Sequence, residues 1–377
     1  MKTMKISALI MLMLGIAFGS SGQEVANPEN EKLYTPIQFT FITPMGTNGI
    51  HSYKYKSTVS LNMLVGVTGG VEGIELGGLS NISLGNIHGV QFAGLSNFNK
   101  DRLTGVQGAG LLNVNLGNVN GAQVAGIMNV ATKSFTGLQA SGILNVVIND
   151  MRGPQFSGVM NVATGNIHGG QASGILNFTA KKMTGVQAGL LNYATTLNGF
   201  QLGLVNISDS LQSGIPVGLF SFVRKGGYHV VELESNETFF LNANIKTGVK
   251  RFYNIFSAGV TARNGQAFMG YGLGFGTMIS LTEKLHVDVD FLSKTVFDYE
   301  WYSGYEGVHS LAVSASWQLL ERIMIYGGPT FNVVVSNKTD AEGNIVESVL
   351  APWSFYNQTG TYSNVQMYPG FKAGIRF

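Results

Sequence analysis

His286, Asp288 and Asp290 have the strongest claim to chemistry in this sequence. They stand at alternate positions of an alternating run, so on an extended strand they share one face, with successive side chains about 6.8 Å apart. One imidazole and two carboxylates suit a metal ion or acid–base work. The same set suits the salt-bridged interior of a barrel, and the surrounding pattern favours that reading. His309 and Ser310 pair a base with a nucleophile, as esterase chemistry requires. Neighbours on one strand point to opposite faces, however, so this pair cannot act together. Gly270, Gly272, Gly274 and Gly276 have the look of a nucleotide loop. They alternate with Met269, Tyr271, Leu273 and Phe275, which makes them the small-residue face of a strand, leaving room for neighbours across a lumen. The six His are scattered, and no His-Glu-x-x-His, phosphate-loop or Gly-x-Ser-x-Gly pattern occurs. The expectation is a chain with no catalytic residues, no metal and no cofactor.

The elements that carry these residues read as long strands. Leu285, Val287, Val289 and Phe291 oppose His286, Asp288 and Asp290. Leu311, Val313, Ala315, Trp317 and Leu319 oppose Ser310, Ser314, Ser316 and Gln318. Phe239, Leu241, Ala243, Ile245, Thr247 and Val249 oppose Asn242, Asn244, Lys246 and Gly248, and the chain ends with Phe371, Ala373, Ile375 and Phe377 against Lys372 and Arg376. Strands of ten or more residues with charge on one face have the length to cross about 25 Å of hydrocarbon. Counting 36–44, 53–67, 228–234, 238–250, 253–262, 267–281, 284–297, 308–319, 322–336 and 365–377 predicts about ten strands. Short turns near Asn254, Glu283 and Glu321 alternate with long segments at 298–307 and 337–364, as in bacterial barrels.

Composition agrees. Of 377 residues 51 are Gly and none is Cys; 12% are charged and 45% hydrophobic. Absent Cys excludes disulfides, thiolate metal sites and Cys nucleophiles. A net charge of +2 gives no electrostatic footprint for nucleic acid. Residues 1–22 read as a secretory signal: Lys2 and Lys5, an apolar stretch from Ile6 to Phe18, then small residues, with cleavage before Gln23. The expectation is an exported chain.

Between the outer strands the sequence repeats every 16 residues. Gln91, Gln107, Gln123, Gln139, Gln155, Gln171 and Gln187 keep that spacing, each with Gly two residues earlier. Asn97, Asn113, Asn129, Asn145, Asn161 and Asn177 follow the first six Gln by six residues, and Glu75 and Asn81 form a degenerate earlier copy. From Gln187 to Asn192, and from Gln201 to Asn206, the spacing is five. In one continuous strand that loss would turn Gln and Asn to opposite faces. In a solenoid it shortens only the Gly corner, where Gly tolerates the dihedrals, so the pattern predicts stacked coils, about nine of them. Gln and Asn then form amide ladders about 4.8 Å per rung, structural rather than ligand-binding. Ile87, Leu103, Val119, Phe135, Met151, Ile167 and Met183 should fill the interior. Lys100, Asp101, Arg102, Lys133, Asp150, Arg152, Lys181 and Lys182 should lie at solvated turns.

Gly-x-Gln-x-x-Gly-Leu-x-Asn repeats followed by barrel-like strands resemble the surface-repeat-containing outer-membrane proteins of Gram-negative bacteria, and the stretches Phe240–Val249 and Gly370–Phe377 are similar to that group too. The resemblance implies location and architecture and carries over no catalytic or binding residue.

The expected fold is all-β: a C-terminal transmembrane antiparallel barrel of about ten strands with an inserted 16-residue-repeat β-solenoid. The expected divisions are a signal peptide (1–22), an N-terminal segment with the first barrel strands (23–67), the solenoid (68–225) and the remaining barrel strands (226–377). The expected role is structural or in surface interaction, at the bacterial outer membrane. A small pore or transport accessory is the alternative, and a lipid hydrolase a distant one. Expected partners are outer-membrane lipid, the barrel-assembly machinery through the strand ending in Phe377, and a surface glycan or protein ligand, with Trp301, Tyr302, Tyr305 and Trp353 as contacts.

Overall fold

The computed structural model describes residues 32–298, 304–340 and 342–377. The expected signal segment, Trp301 and Tyr302 lie outside the described residues. The chain divides into two compact units, Met1–Thr195 and Thr196–Phe377.

The first unit is a parallel β-solenoid. A typical coil has a seven-residue strand, Val119–Ala125, a two-residue corner and a four-residue strand, Met128–Ala131. The register is 16 residues: Gln123 pairs with Gln107 on one side and Gln139 on the other, and Asn129 with Asn113 and Asn145. Period-two alternation turns the Gln, the Asn and the large apolar residue four before each Gln inward. All seven of those apolar residues, from Ile87 to Met183, are 0–2% exposed, each burial contributing roughly 1.5–3 kcal/mol. Of the predicted turn charges, Lys100, Asp101, Arg102, Lys133 and Asp150 lie in turns and are exposed, while Arg152, Lys181 and Lys182 fall within strands.

The two glycines of each repeat have different jobs. The Gly two before Gln takes a positive φ, 144° at Gly121, and a Cβ there would sit 1.8 Å from the Gly105 carbonyl oxygen of the coil below. The corner Gly is needed for close stacking: a Cβ at Gly126 would meet the Gly110 oxygen at 2.1 Å. The expected dihedral role therefore belongs to the first glycine, not the corner one. Where the spacing falls to five, Gln187 and Asn192 both still point inward, at 0% and 2% exposure. The corner keeps its two residues, Gly189 and Leu190, and the lost residue is the last one of the longer strand, where Ala172 still pairs with Ala188 and Ser173 has no counterpart.

One expectation needs correcting. The strands predicted at 36–44 and 53–67 are not barrel strands. Leu33–Ile42 pairs in parallel with Tyr55–Thr68, which pairs in parallel with Gly70–Gly77 and Ser80–Ser83. They are the first coils of the solenoid, and among the described residues no barrel strand precedes it. Counted over both units, the coils number about 11 turns.

The second unit holds the last coils, ending in Val205–Val217 and Phe220–Lys225, and then a closed antiparallel barrel of eight strands. The strands are Tyr228–Asn236, Leu241–Val249, Phe252–Arg263, Gln266–Ser280, Leu285–Asp298, Glu306–Leu320, Ile323–Ser336 and Asn364–Arg376. Each pairs with the next, and the first pairs with the last, Leu233 opposite Ile375. Phe377 completes the seam: its N–H donates to Val231 O at 2.9 Å and its carbonyl accepts from Val231 N at 3.2 Å. Connections 250–251, 281–284 and 321–322 share one end with both barrel termini. Connections 237–240, 264–265, 299–305 and 337–363 share the other. Phe239, expected on the outer face, lies in the first of these and is buried at 1% exposure, because the strand begins only at Leu241.

Candidate functional site

The strand face of His286, Asp288 and Asp290 points into the barrel lumen, where it meets cations from distant strands. Arg376 bridges Asp288 at 3.0 Å and Glu232 at 2.6 Å. Lys246 bridges Glu232 at 3.0 Å and Asp290 at 2.9 Å. Lys372 reaches Asp290 at 2.9 Å and Glu234 at 3.6 Å. Hydroxyls take up further acceptor sites: Tyr253 donates to Asp290 Oδ1 at 2.7 Å and Ser316 to Asp288 Oδ2 at 2.6 Å. His286 stands apart from the carboxylates, with Nδ1 at 2.9 Å from Ser280 Oγ. The sequence brought the right three residues to one face, and the structure gives that face to a salt-bridge network. It also puts the Lys246, Lys372 and Arg376 ammonium and guanidinium groups over the rings of Tyr253 and Tyr326.

The glycine row makes room for this. A Cβ at Gly276 would lie 2.3 Å from Asp290 Oδ1 and 2.6 Å from the Tyr253 ring, and one at Gly270 would strike the Phe239 ring at 2.7 Å. His309 and Ser310 face opposite ways: His309 Nδ1 meets Ser293 Oγ at 2.9 Å on the outer surface, while Ser310 bonds Asn332 on the inner row.

Beyond the charged network the lumen closes with apolar side chains. Phe239, Phe268, Val296, Val308, Val334 and Tyr368 pack around Leu350, which the 337–363 connection supplies and which is fully buried. Lys338, on the same connection, bridges Asp298 and Glu306, both at 2.9 Å. Burial alone would lower its pKa, but these carboxylates hold it above the ordinary lysine value. The free cavity among the lumen residues Glu232, Asn236, Lys294 and Ser310 is about 30 Å³, of the order of one or two waters.

The amide residues stand where the repeat predicted. All seven Gln and all six Asn are at most 1% exposed. From Gln107 onward each Gln Nε2 donates to the Oε1 of the Gln one coil earlier, at 2.6–3.0 Å. Each Asn Nδ2 donates the opposite way, to the Oδ1 of the next coil's Asn, at 2.9–3.0 Å. Its second hydrogen goes to a backbone carbonyl of the next coil, as Asn113 does to Val124 O at 2.8 Å. The two ladders thus run with opposed polarity and satisfy their own buried groups.

The Gln ladder ends on Glu75. It is fully buried and accepts from Gln91 at 2.7 Å, Asn62 at 3.1 Å and Ser60 at 3.4 Å. A carboxylate only accepts, so it suits the end of a chain of donors. Burial raises its pKa to about 7, against the lowering effect of those three hydrogen bonds. Of the predicted surface contacts, Tyr305 is 45% and Trp353 54% exposed, with Trp353 Nε1 donating to Pro369 O at 2.9 Å.

No known protein family matches the chain, and no curated protein does.

Proposed function

We propose that this chain is a non-enzymatic outer-membrane protein in which a filled barrel anchors a β-solenoid whose role is structural or in surface interaction. The observation that carries this reading is the filled lumen. Three cations and four carboxylates interlock across it, and an apolar cluster closes the long-connection end. An eight-stranded barrel leaves an interior that side chains can fill, which suits an anchor rather than a conduit. The charges face inward, while Met269, Tyr271, Leu273 and Phe275 stand 48–60% exposed on the outer row, the distribution that a lipid-embedded barrel needs. The esterase pairing is left without support by the opposed faces of His309 and Ser310. On this reading the chain belongs with the surface-repeat-containing outer-membrane proteins that its repeats resemble, exported by the segment read at 1–22, with its last strand offered to the assembly machinery.

Purified full-length protein reconstituted in planar lipid bilayers tests the anchor against the pore. The expected result is incorporation without discrete current steps. Reproducible single-channel steps from the incorporated protein would overturn the anchor reading.

A further inference from the structure

The coils expose an apolar edge. After each corner glycine comes Leu, Ile or Val, from Leu79 to Leu219, and each is 36–53% exposed. Flanking positions add exposed Phe92, Val124 and Phe156 at 45–49%. The corner backbone bonds from coil to coil. Leu95, Leu111, Ile127 and Ile143 each donate their N–H to the carbonyl of the corner residue one coil earlier, at 2.8–3.1 Å. Charged side chains keep to the other edge of the coil, where Lys100, Asp101, Arg102 and Lys133 are exposed.

We propose that this apolar edge is a lipid-docking surface, seated on the acyl chains of a bilayer. The proposal rests on the barrel being lipid-embedded. Three observations select lipid over a protein partner. The edge offers apolar side chains with few polar groups among them, the hydroxyls of Ser141, Ser157 and Ser173, whereas protein interfaces carry about one hydrogen bond per 100–200 Å². Its side chains vary in size without pattern from coil to coil: Phe92, Gly108, Val124, Ala140 and Phe156 occupy one equivalent position, which fluid chains accommodate and a rigid partner does not. In the second unit the edge also meets the barrel's outer face, where the Phe220 and Phe256 rings stand 6.2 Å apart. Hydrocarbon demands that backbone polar groups be satisfied internally, and the coil-to-coil bonds do that. A polar edge with basic residues opposite an apolar one is the distribution of a segment lying in the membrane interface.

The chain has no Cys, so single labels can be placed cleanly. Ile127→Cys on the apolar edge, Lys133→Cys on the charged edge and Leu311→Cys on the barrel's outer row would each carry an environment-sensitive fluorophore. The full chain would be reconstituted in phosphatidylglycerol–phosphatidylcholine vesicles containing a spin-labelled lipid quencher. The expected result is several-fold stronger quenching at Ile127→Cys than at Lys133→Cys, with strong quenching at Leu311→Cys. Strong quenching at Leu311→Cys with none at Ile127→Cys overturns the docking surface and leaves the barrel in the bilayer. A shielded but unquenched Ile127→Cys label means that protein, such as a second copy, covers the edge, and also overturns it. No quenching at Leu311→Cys overturns the lipid-embedded barrel and this proposal with it.

Discussion

Glu75 is the residue whose ionisation matters most to the solenoid. An acid with a folded pKa above its unfolded value binds more protons when folded, so stability falls as pH rises between the two. Here the window runs from 4.5 to about 7, and the full loss is on the order of 3 kcal/mol. Melting of the solenoid followed by circular dichroism should show its stability dropping across that interval. Glu75→Gln extends the amide ladder by one rung and should remove the drop; a variant that keeps it would show that another group is responsible. Glycine gives a second test at this scale. Gly121→Ala puts a methyl against the Gly105 carbonyl in a backbone conformation that side chains resist, and should cost about 1–3 kcal/mol or more. Gly170→Ala has nothing closer than 3.5 Å and should lie within about 0.5 kcal/mol of the parent. Equal losses in urea unfolding would refute the stacking argument. In the lumen, Arg376→Met leaves Asp288 without a cation and should cost about 3–5 kcal/mol, read by urea unfolding of the reconstituted barrel.

At the scale of elements, the coil is the unit of stability. Stacked repeats contact only their neighbours, so removing a whole one should cost one interface and nothing more. Deleting 119–134 brings Gln139 into register over Gln107 and should leave a cooperative fold with slightly lower stability. Deleting 119–126 alone leaves half a coil at the junction and puts the coils on its two sides out of register, so it should cost more stability than the whole-coil deletion and split the transition measured by circular dichroism. This unit was legible in the sequence because it recurs within one chain, and because the five-residue spacings at Gln187 and Gln201 distinguish a corner from a strand. The barrel strands were legible for a different reason, the alternation of apolar and polar residues over long runs. That same signal misled at 36–44 and 53–67. A solenoid strand with an apolar exterior and inward Gln38, Thr40 and Asn62 alternates as a barrel strand does, and alternation does not say whether the partner runs parallel. The lumen face was legible at Asp288 and Asp290, but its pairing was not. Their cations lie 44–88 residues away along the chain, and only barrel closure brings them together.

At the scale of the whole molecule, both units bury rows of polar side chains, the amide ladders in one and the lumen ion pairs in the other, and both expose rows of large hydrophobics. The second unit also has a direction. Its short connections share an end with both barrel termini, and the last coils bond to that same end: Thr247 Oγ1 donates to Ser221 O at 2.7 Å and Asn254 Nδ2 to Gly218 O at 2.5 Å. The long connection and its most exposed aromatics, Phe355 at 67% and Tyr362 at 85%, lie at the other end. Bacterial barrels keep short turns in the periplasm and long loops outside. The coils should therefore lie on the periplasmic side. A membrane-impermeant maleimide checks this in intact cells. Tyr362→Cys should label at once, and Lys133→Cys, exposed on the charged edge of its coil, should label only after the outer membrane is permeabilised. Immediate labelling at Lys133→Cys with Tyr362→Cys protected would reverse the barrel and put the repeats on the cell surface.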